Sequence, residues 1–392
     1  MSDTRPMLAI VTGHLPPYRE HFHLRIAREI PEVRLASLLT RHRTGAWVNP
    51  DIAEIGTVRF EGPEVAPKSF LGWCWNEYRK GRAVKRWLEE HRPDAVLLIG
   101  YHEAPNVAAW RWARRRRVPV MMWADSNIKG DLARGWKKVI KGVYAPFVCR
   151  RLSRVLVCGS AGEAFFRKYG VADEKMTRMP VEPDYSLIEN MTQQDAERLA
   201  AEAGAPVVAG RRRLVCCCRL VDQKRVDQAI EAFKAIAAER PEWDLLIVGS
   251  GELREQLEAR GGGLVRGGRI RFLGFQDQPH VTGVYRTSDV LVLTSDNEPW
   301  ALVVNEAAAA GCALVTSDVV GASVELVREG VNGFMYPVGD LGALTDRLRR
   351  VTEAGVTDRM RAASPAILAE WRRGADPVAG LRNALRACGA VA

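Results

Sequence analysis

Short, largely apolar runs recur along this chain, each long enough for a strand and each followed by a segment long enough for a helix. In the first half they lie at 8–12, 35–39, 58–60, 95–99, 118–123 and 154–158. In the second half they lie at 214–218, 245–248, 270–275, 290–293, 313–316 and 334–336. A strand that is apolar on both faces must be covered on both, so these runs read as parallel strands sandwiched by helices. Helical segments at 20–29, 78–90 and 225–238 fit between them, the last with Val226, Ile230, Phe233 and Ile236 on one face. The alternation predicts an α/β fold of doubly wound sheets.

The pattern breaks once. Pro180, Pro183 and Pro206 punctuate residues 180–210, with a polar helical stretch at 193–202 between them. This reads as a linker. At 392 residues the chain is also too long for one ordinary core. The expectation is two domains, 1–190 and 205–370, with a terminal helix at 376–388.

The richest stretch is 295–311, Ser-Asp-Asn-Glu-Pro-Trp-Ala-Leu-Val-Val-Asn-Glu-Ala-Ala-Ala-Ala-Gly. It follows the apolar run 290–293. A polar loop interrupted by Pro299 comes first, then an Ala-rich helix that Gly311 ends. Ligands of open α/β sheets bind where strands end and helices begin. Two carboxylates stand there, Glu298 in the loop and Glu306 in the helix. Other loops of the second half fall at the same sheet edge: Arg219 and Lys224, Gly249 and Gly251, Gly274 and Phe275, and Gly321. Guanidinium and ammonium groups suit phosphate oxygens. The backbone N–H groups of Ala301, Leu302 and Val303, at a helix start, make a second anion site. Carboxylates beside such a pocket suit hydroxyl groups, of a ribose or a sugar. Two phosphate cradles with two hydroxyl-accepting carboxylates describe a nucleoside-diphosphate sugar.

In order and spacing, Arg219-Leu220-x-x-x-Lys224, Val248-Gly249-x-Gly251, Phe272-x-Gly274-Phe275, Glu298-x7-Glu306-Ala307-x-x-x-Gly311 and Gly330-x-x-Gly333 resemble the motifs of retaining GT-B glycosyltransferases of family 4 (glycosyl transferases group 1). The likeness covers nearly the whole chain and is strongest over 214–340. It implies a GT-B fold, two Rossmann-like doubly wound domains facing a central cleft, with an N-terminal acceptor domain and a C-terminal donor domain. The terminal helix would pack back on the first domain. By that likeness Arg219 and Lys224 hold the diphosphate, Glu306 the ribose hydroxyls and Glu298 the donor-sugar hydroxyls, and Gly13 leaves room for the diphosphate. Glu298, Arg219 and Lys224 would be the catalytic set. His102, Asp125, Tyr18 and Arg19, in loops after first-half strands, are candidates for sugar or acceptor contact. Three positions depart from the pattern. Pro299 and Ala301 stand where glycines are usual, Ala309 replaces a larger residue, and Asp125 and Ser126 lie where many relatives carry a histidine.

The resemblance implies a hexosyltransferase-type enzyme that moves a sugar from a UDP-sugar, or a GDP-sugar, to a glycan or lipid-linked acceptor with retained configuration. No metal or other cofactor is expected, and no Asp-x-Asp cluster lies beside the diphosphate motifs. Cell-surface polysaccharide or glycoconjugate synthesis is the expected setting. The rivals are a GT-B-fold epimerase or phosphorylase, and an inactive binding subunit.

Charge bears on the partner of one half. Residues 1–190 carry 32 Lys and Arg against 21 Asp and Glu, whereas the rest carry 25 against 26. The excess peaks at 101–150, eleven against three. Arg114–Arg117 follow Trp110 and Trp112 and precede Lys129, Arg134, Lys137, Lys138, Lys141, Arg150 and Arg151. The run reads either as a solvated helix end or as a face for anionic lipid. No motif accompanies it that would make it a nucleic-acid surface. His21 and His23 look like a ligand pair, but residues two apart on a helix do not face each other. The eight cysteines show no Cys-x-x-Cys spacing, and Cys216-Cys217-Cys218 reads as a packed strand. With no secretory pattern at the N-terminus and no apolar run of about 18 residues, the expected place is the cytoplasm, peripheral on the inner membrane face.

Overall fold

The computed structural model describes residues 4–41, 52–60, 69–100, 102–130 and 135–391. Arg134 lies outside the described residues, as do the side chains of Lys137, Lys138 and Lys141. The chain forms two compact units, Met1–Glu182 with Ala375–Ala392, and Pro183–Gly374.

The first unit runs β1 (Met7–Thr12), α1 (Pro17–Glu29), β2 (Arg34–Leu39), β3 (Thr57–Arg59), α2 (Phe70–His91), β4 (Ala95–Ile99), α3 (Ala104–Arg116), β5 (Val120–Ala124), α4 (Gly135–Cys149), β6 (Arg154–Val157), α5 (Ser160–Lys168) and β7 (Met176–Arg178). Its sheet has the order β3-β2-β1-β4-β5-β6-β7, and every pairing is parallel. The apolar strands dictate this: Leu8, Ala9, Ile10 and Val11 are fully buried. Val84, Leu88, Ala109 and Ala113 seal one face of the sheet. The order reverses between β1 and β4, so the loops after those strands, carrying Gly13 and His102, flank the crevice of the unit.

The second unit runs α6 (Ser186–Glu189), α7 (Gln193–Glu202), β8 (Arg212–Cys217), α8 (Val226–Ile236), β9 (Trp243–Val248), α9 (Arg254–Gly261), α10 (Gly263–Arg266), β10 (Ile270–Gly274), α11 (Gln278–Arg286), β11 (Val290–Leu293), α12 (Leu302–Ala309), β12 (Ala313–Ser317), α13 (Gly321–Leu326), β13 (Gly333–Tyr336), α14 (Leu341–Val351) and α15 (Val356–Gly374). Its parallel sheet has the order β10-β9-β8-β11-β12-β13. Here the reversal falls between β8 and β11, whose loops carry Arg219 and Lys224 on one side and Glu298 on the other.

Helix α16 (Pro377–Ala387) belongs to the first unit. The Asp376 side chain caps it by accepting from the Ala379 N–H at 2.7 Å. Arg25 donates to Asp376 at 2.7 Å and also to the buried Glu182. One arginine of α1 therefore grips both the last residue before the chain leaves this unit and the start of its return.

Three readings need correction. The first unit ends at Glu182, not at 190. Residues 183–204 are no free linker: α7 packs on α11, with Ala196, Leu199 and Ala200 close against Gly283. That buried face is built from alanines, which give little apolar periodicity. Helix α2 starts at Phe70 rather than 78, with Ser69 accepting from the Gly72 N–H at 3.1 Å. Its first turns are masked in the sequence because Leu71, Trp73 and Trp75 are exposed. Among the described residues no helix is long and apolar enough to cross a membrane.

Candidate functional site

The loop after β8 and the loop after β11 are tied together before any side chain of the site is considered. The Asp296 N–H donates to the Gln223 carbonyl at 2.9 Å, and the Gln223 amide donates to the Asn297 carbonyl at 2.9 Å. The buried Thr294 hydroxyl reaches the carbonyls of Lys224 and Arg225 at 2.9 and 2.8 Å. Arg225, itself at a positive φ of 48°, pairs with Asp296 at 3.2 Å. This frame sets Lys224 against Glu298. Their side chains are 13% and 15% exposed and form an ion pair, and Ser295 donates to the same carboxylate oxygen at 3.2 Å. The two residues are 74 positions apart, so no local pattern shows the contact.

Neighbouring loops pack around this pair at backbone level. At Gly249, φ is +130° and an added Cβ would overlap the Cys218 carbonyl. A Cβ at Gly251 would overlap the Leu220 carbonyl in the same way. Only glycine lets the loop after β9 lie on the segment that carries Arg219. The Gly249 N–H donates to the Gly274 carbonyl at 2.8 Å, which adds the loop after β10. The Gly321 N–H donates to the Glu298 carbonyl at 3.1 Å. A Cβ at Gly321 would overlap the Pro299 carbonyl. Arg219 is exposed and makes no ion pair among the described residues, and Phe275 is half exposed.

Ala301 carries the unusual backbone. It sits at φ 81°, ψ 83°, the left-handed region, just before α12. The site thus keeps the conformation that glycine would take, at a cost of about 1–2 kcal/mol. No side chain caps α12. The first-turn N–H groups of Leu302 and Val303 have no partner within the helix by construction. Trp300 anchors the turn: its indole N–H donates to Asn305 at 3.1 Å, Asn305 donates to the Tyr185 hydroxyl at 3.0 Å, and its ring lies 5.6 Å from that of Trp371.

Glu306, one turn on, is in a different environment. It is 5% exposed and has no cationic partner among the described residues; Gln278 donates to it at 3.2 Å. Burial pushes its carboxyl above the usual carboxylate range, opposed by Gln278 and by the Tyr285 hydroxyl. The neighbouring Tyr285 hydroxyl is buried beside the Glu306 carboxyl and the Cys217 thiol, and burial raises it well above its ordinary range. Gln278 and Tyr285 escaped the sequence reading. The only hint was the helix-start signature Asp277-Gln278-Pro279, where Asp277 caps α11 by accepting from the His280 N–H at 3.2 Å.

In the first unit, Arg19 donates to the Thr12 hydroxyl at 3.2 Å and lies 5.6 Å from the ring centres of both Tyr18 and Trp123. Burial raises the Tyr18 hydroxyl above its ordinary range. The space over Gly13 is taken by the side chain of Arg41, which pairs with Glu103. His102 and Asp125 are exposed in the loops after β4 and β5. His23 is a core residue, bonded to the Ser37 hydroxyl at 2.8 Å and held neutral by burial, with its pKa pushed down to about 3.

The family of glycosyl transferases group 1 matches residues 202–366, and the glycosyl transferase 4-like domain matches residues 24–182. An exopolysaccharide phosphotransferase of Streptomyces coelicolor is 34% identical over 134 residues, 34% of this chain and 14% of that protein. A phosphatidyl-myo-inositol mannosyltransferase of Mycobacterium leprae is 30% identical over 271 residues, 68% of this chain and 66% of that protein. The matches span less than two thirds of either relative's length. Among solved structures, Anabaena HepE in complex with UDP and glucose has a TM-score of 0.72 at 19% identity, covering 99% of this chain and 100% of that one. The chain belongs to the group 1, or family 4, glycosyltransferases, and its two Rossmann-like units are those of the GT-B fold.

Proposed function

We propose that this family member transfers a sugar from a nucleoside-diphosphate sugar, a UDP-sugar first, to a hydroxyl of a glycan or lipid-linked acceptor, with retention of configuration and without a metal. The observation that carries the reading is the buried Lys224–Glu298 pair at the strand-order reversal of the second unit, beside the uncapped start of α12. As the C–O bond to the donor breaks, charge grows on the departing diphosphate. Lys224, Arg219 and the N–H groups of α12 stabilise it. The acceptor oxygen bonds to the anomeric carbon from the same face, and its proton passes to the departing phosphate oxygen. Glu306 accepts from the ribose hydroxyls and Glu298 from the sugar. UDP and glucose in HepE are consistent with this donor class.

A thermal-shift screen across UDP- and GDP-sugars tests the donor, since a ligand stabilises by RT ln(1 + [L]/Kd). No shift with any of them sinks the reading. NMR of the glycosidic product reads retention, and turnover that vanishes with EDTA would overturn metal independence. The first unit, we further propose, meets an anionic bilayer through the face of α3 and α4. Val143 and Phe147 are exposed there, Arg114 lies 5.2 Å over Trp110, and Arg151 lies 4.0 Å over Phe147. Flotation with vesicles that contain or lack anionic lipid checks it; equal recovery from both counts against it.

A further inference from the structure

On its other side α3 faces α2, and between these helices runs a cavity of about 980 Å³ within the first unit. The helices approach closely because position 81 is glycine: a Cβ there would stand 3.2 Å from the Ala104 carbonyl. Three carboxylates line the groove, and each is paired within the protein: Glu77 with Lys80 at 3.3 Å, Glu89 with Lys85 at 3.4 Å, and Glu103 with Arg41. Besides Arg41, four arginines line it, Arg82 and Arg86 on α2, Arg111 and Arg115 on α3. None has a carboxylate partner among the described residues; Arg82 rests 5.9 Å from the Tyr78 ring centre. Each pair is four residues apart, so each helix presents two guanidinium groups on one face, about 6 Å apart along the axis. Trp112, a residue only 4% exposed, also lines the groove, and its buried indole N–H has no hydrogen-bond partner. The unsatisfied groups here are therefore donors, and their complement is an acceptor-rich anion. At the end nearest the ligand edge of the sheet, Trp73 and Tyr78 are 51% and 53% exposed. They offer apolar platforms with polar tips.

We propose that the α2–α3 groove binds an acceptor glycan that carries phosphate or carboxylate groups, with its charges among the four arginines and a ring against Trp73 or Tyr78. Calling this ligand the acceptor rests on the glycosyl-transfer reading; that the groove binds an anionic glycan does not. A bilayer is the less favoured occupant, because the arginines face each other across a concave slot, whereas α3 and α4 present theirs outward.

The test measures binding to the full chain without donor, by tryptophan fluorescence and thermophoresis. The probes are hexa-galacturonate, the neutral maltohexaose, inorganic pyrophosphate and vesicles of phosphatidylglycerol. The variants are Arg82→Gln/Arg111→Gln/Arg115→Gln and a charge-matched control in the second unit, Arg266→Gln/Arg359→Gln/Arg373→Gln. The expected result is hexa-galacturonate binding at least tenfold tighter than maltohexaose, weakened tenfold or more by the groove variant and less than twofold by the control. Pyrophosphate binding that needs the same arginines, but more weakly, assigns the charge recognition to phosphate and carboxylate alike. Equal affinity for charged and neutral hexamers overturns the proposal, as does a groove variant that binds like the control. Arginine-dependent binding of vesicles with none of the soluble probes also overturns it, in favour of lipid. UDP-sugar thermal shifts on the same samples score the donor reading separately, so either can fail alone.

Discussion

Glu306→Gln should make the empty protein more stable and the enzyme worse. The side chain is 5% exposed; Gln278 donates to it at 3.2 Å and the buried Tyr285 hydroxyl lies beside it. A carboxylate offers about four acceptor positions, so the ligand-free site holds an under-satisfied charge. Glutamine is isosteric, keeps an oxygen for Gln278 and carries no charge. Relief of the desolvation cost is on the order of 1–3 kcal/mol. In a domain of this size each kcal/mol moves the melting temperature by roughly 2–4 °C. The pH dependence follows from the raised carboxyl. A carboxyl raised in the folded state contributes stability below its unfolded value, near 4.3, and loses it as pH rises through the folded value. The advantage of Glu306→Gln should therefore be small at pH 4–5 and full at pH 8. Nucleotide binding moves the other way. Losing one charge-assisted hydrogen bond to a ribose hydroxyl costs about 1.5–3 kcal/mol, roughly 10- to 150-fold in Kd for UDP. Calorimetric melting at both pH values, with and without UDP, reads all of this. A melting temperature at pH 8 below wild type, or UDP affinity within twofold, would refute the reasoning.

Lys224→Met should cost about 100- to 1000-fold in kcat, the usual effect of removing one donor to a developing anion, with a smaller change in KM; initial rates with a fixed UDP-sugar decide it, and a loss confined to KM would make Lys224 a binding residue only. Arg25→Ala takes the Arg25 guanidinium away from Glu182, only 7% exposed, and from Asp376. Removing one side of a buried pair costs about 3 kcal/mol or more. Limited proteolysis should then cut between Gly374 and α16 faster than in wild type, and unchanged cleavage would count against the clamp. Ala301→Gly removes a side chain from a φ of 81°, a relief of about 1–2 kcal/mol offset by about 0.5–1 kcal/mol of extra freedom in the unfolded chain. The melting temperature should hold or rise slightly, and a fall of several degrees would show that the methyl group has a packing role.

Both sheets were legible because their strands are apolar on both faces, a signal that does not depend on partners. The helices were legible where their buried faces are large and aliphatic, as in α8, and not where they are small, as in α7. The motif residues of the site could be placed at one sheet edge from strand ends alone. Their pairing could not, since Lys224 meets Glu298 only through bonds from Thr294, Gln223 and Asp296 across two loops. Gln278, which donates to Glu306 at 3.2 Å, stands on a helix that no motif marks. The left-handed turn at Ala301 was visible as a missing glycine, yet the sequence could not say whether the backbone had changed with the residue.

The two carboxylates of 295–311 divide the site by physics rather than by spacing. Glu298 is neutralised in the empty protein by Lys224 and held by Ser295, so neither charge of that pair is stranded while the donor is away. In the proposed reaction a diphosphate would compete for the ammonium group, and each lysine contact it gained would free a carboxylate oxygen for a sugar hydroxyl. Binding of the phosphates and reading of the sugar are then one event at this pair. Glu306 has no such charged partner among the described residues, only Gln278 and the nearby Tyr285 hydroxyl, and in the proposed reaction a ribose would supply further donors. The first acid therefore couples recognition to the leaving group, and the second stores part of the nucleotide's binding energy as instability of the empty site. If that division holds, Glu298→Gln should weaken UDP-sugar far more than UDP, while Glu306→Gln should weaken both alike. Isothermal titration of the two variants with the two ligands separates the roles, and the same pattern in both variants would collapse them into one.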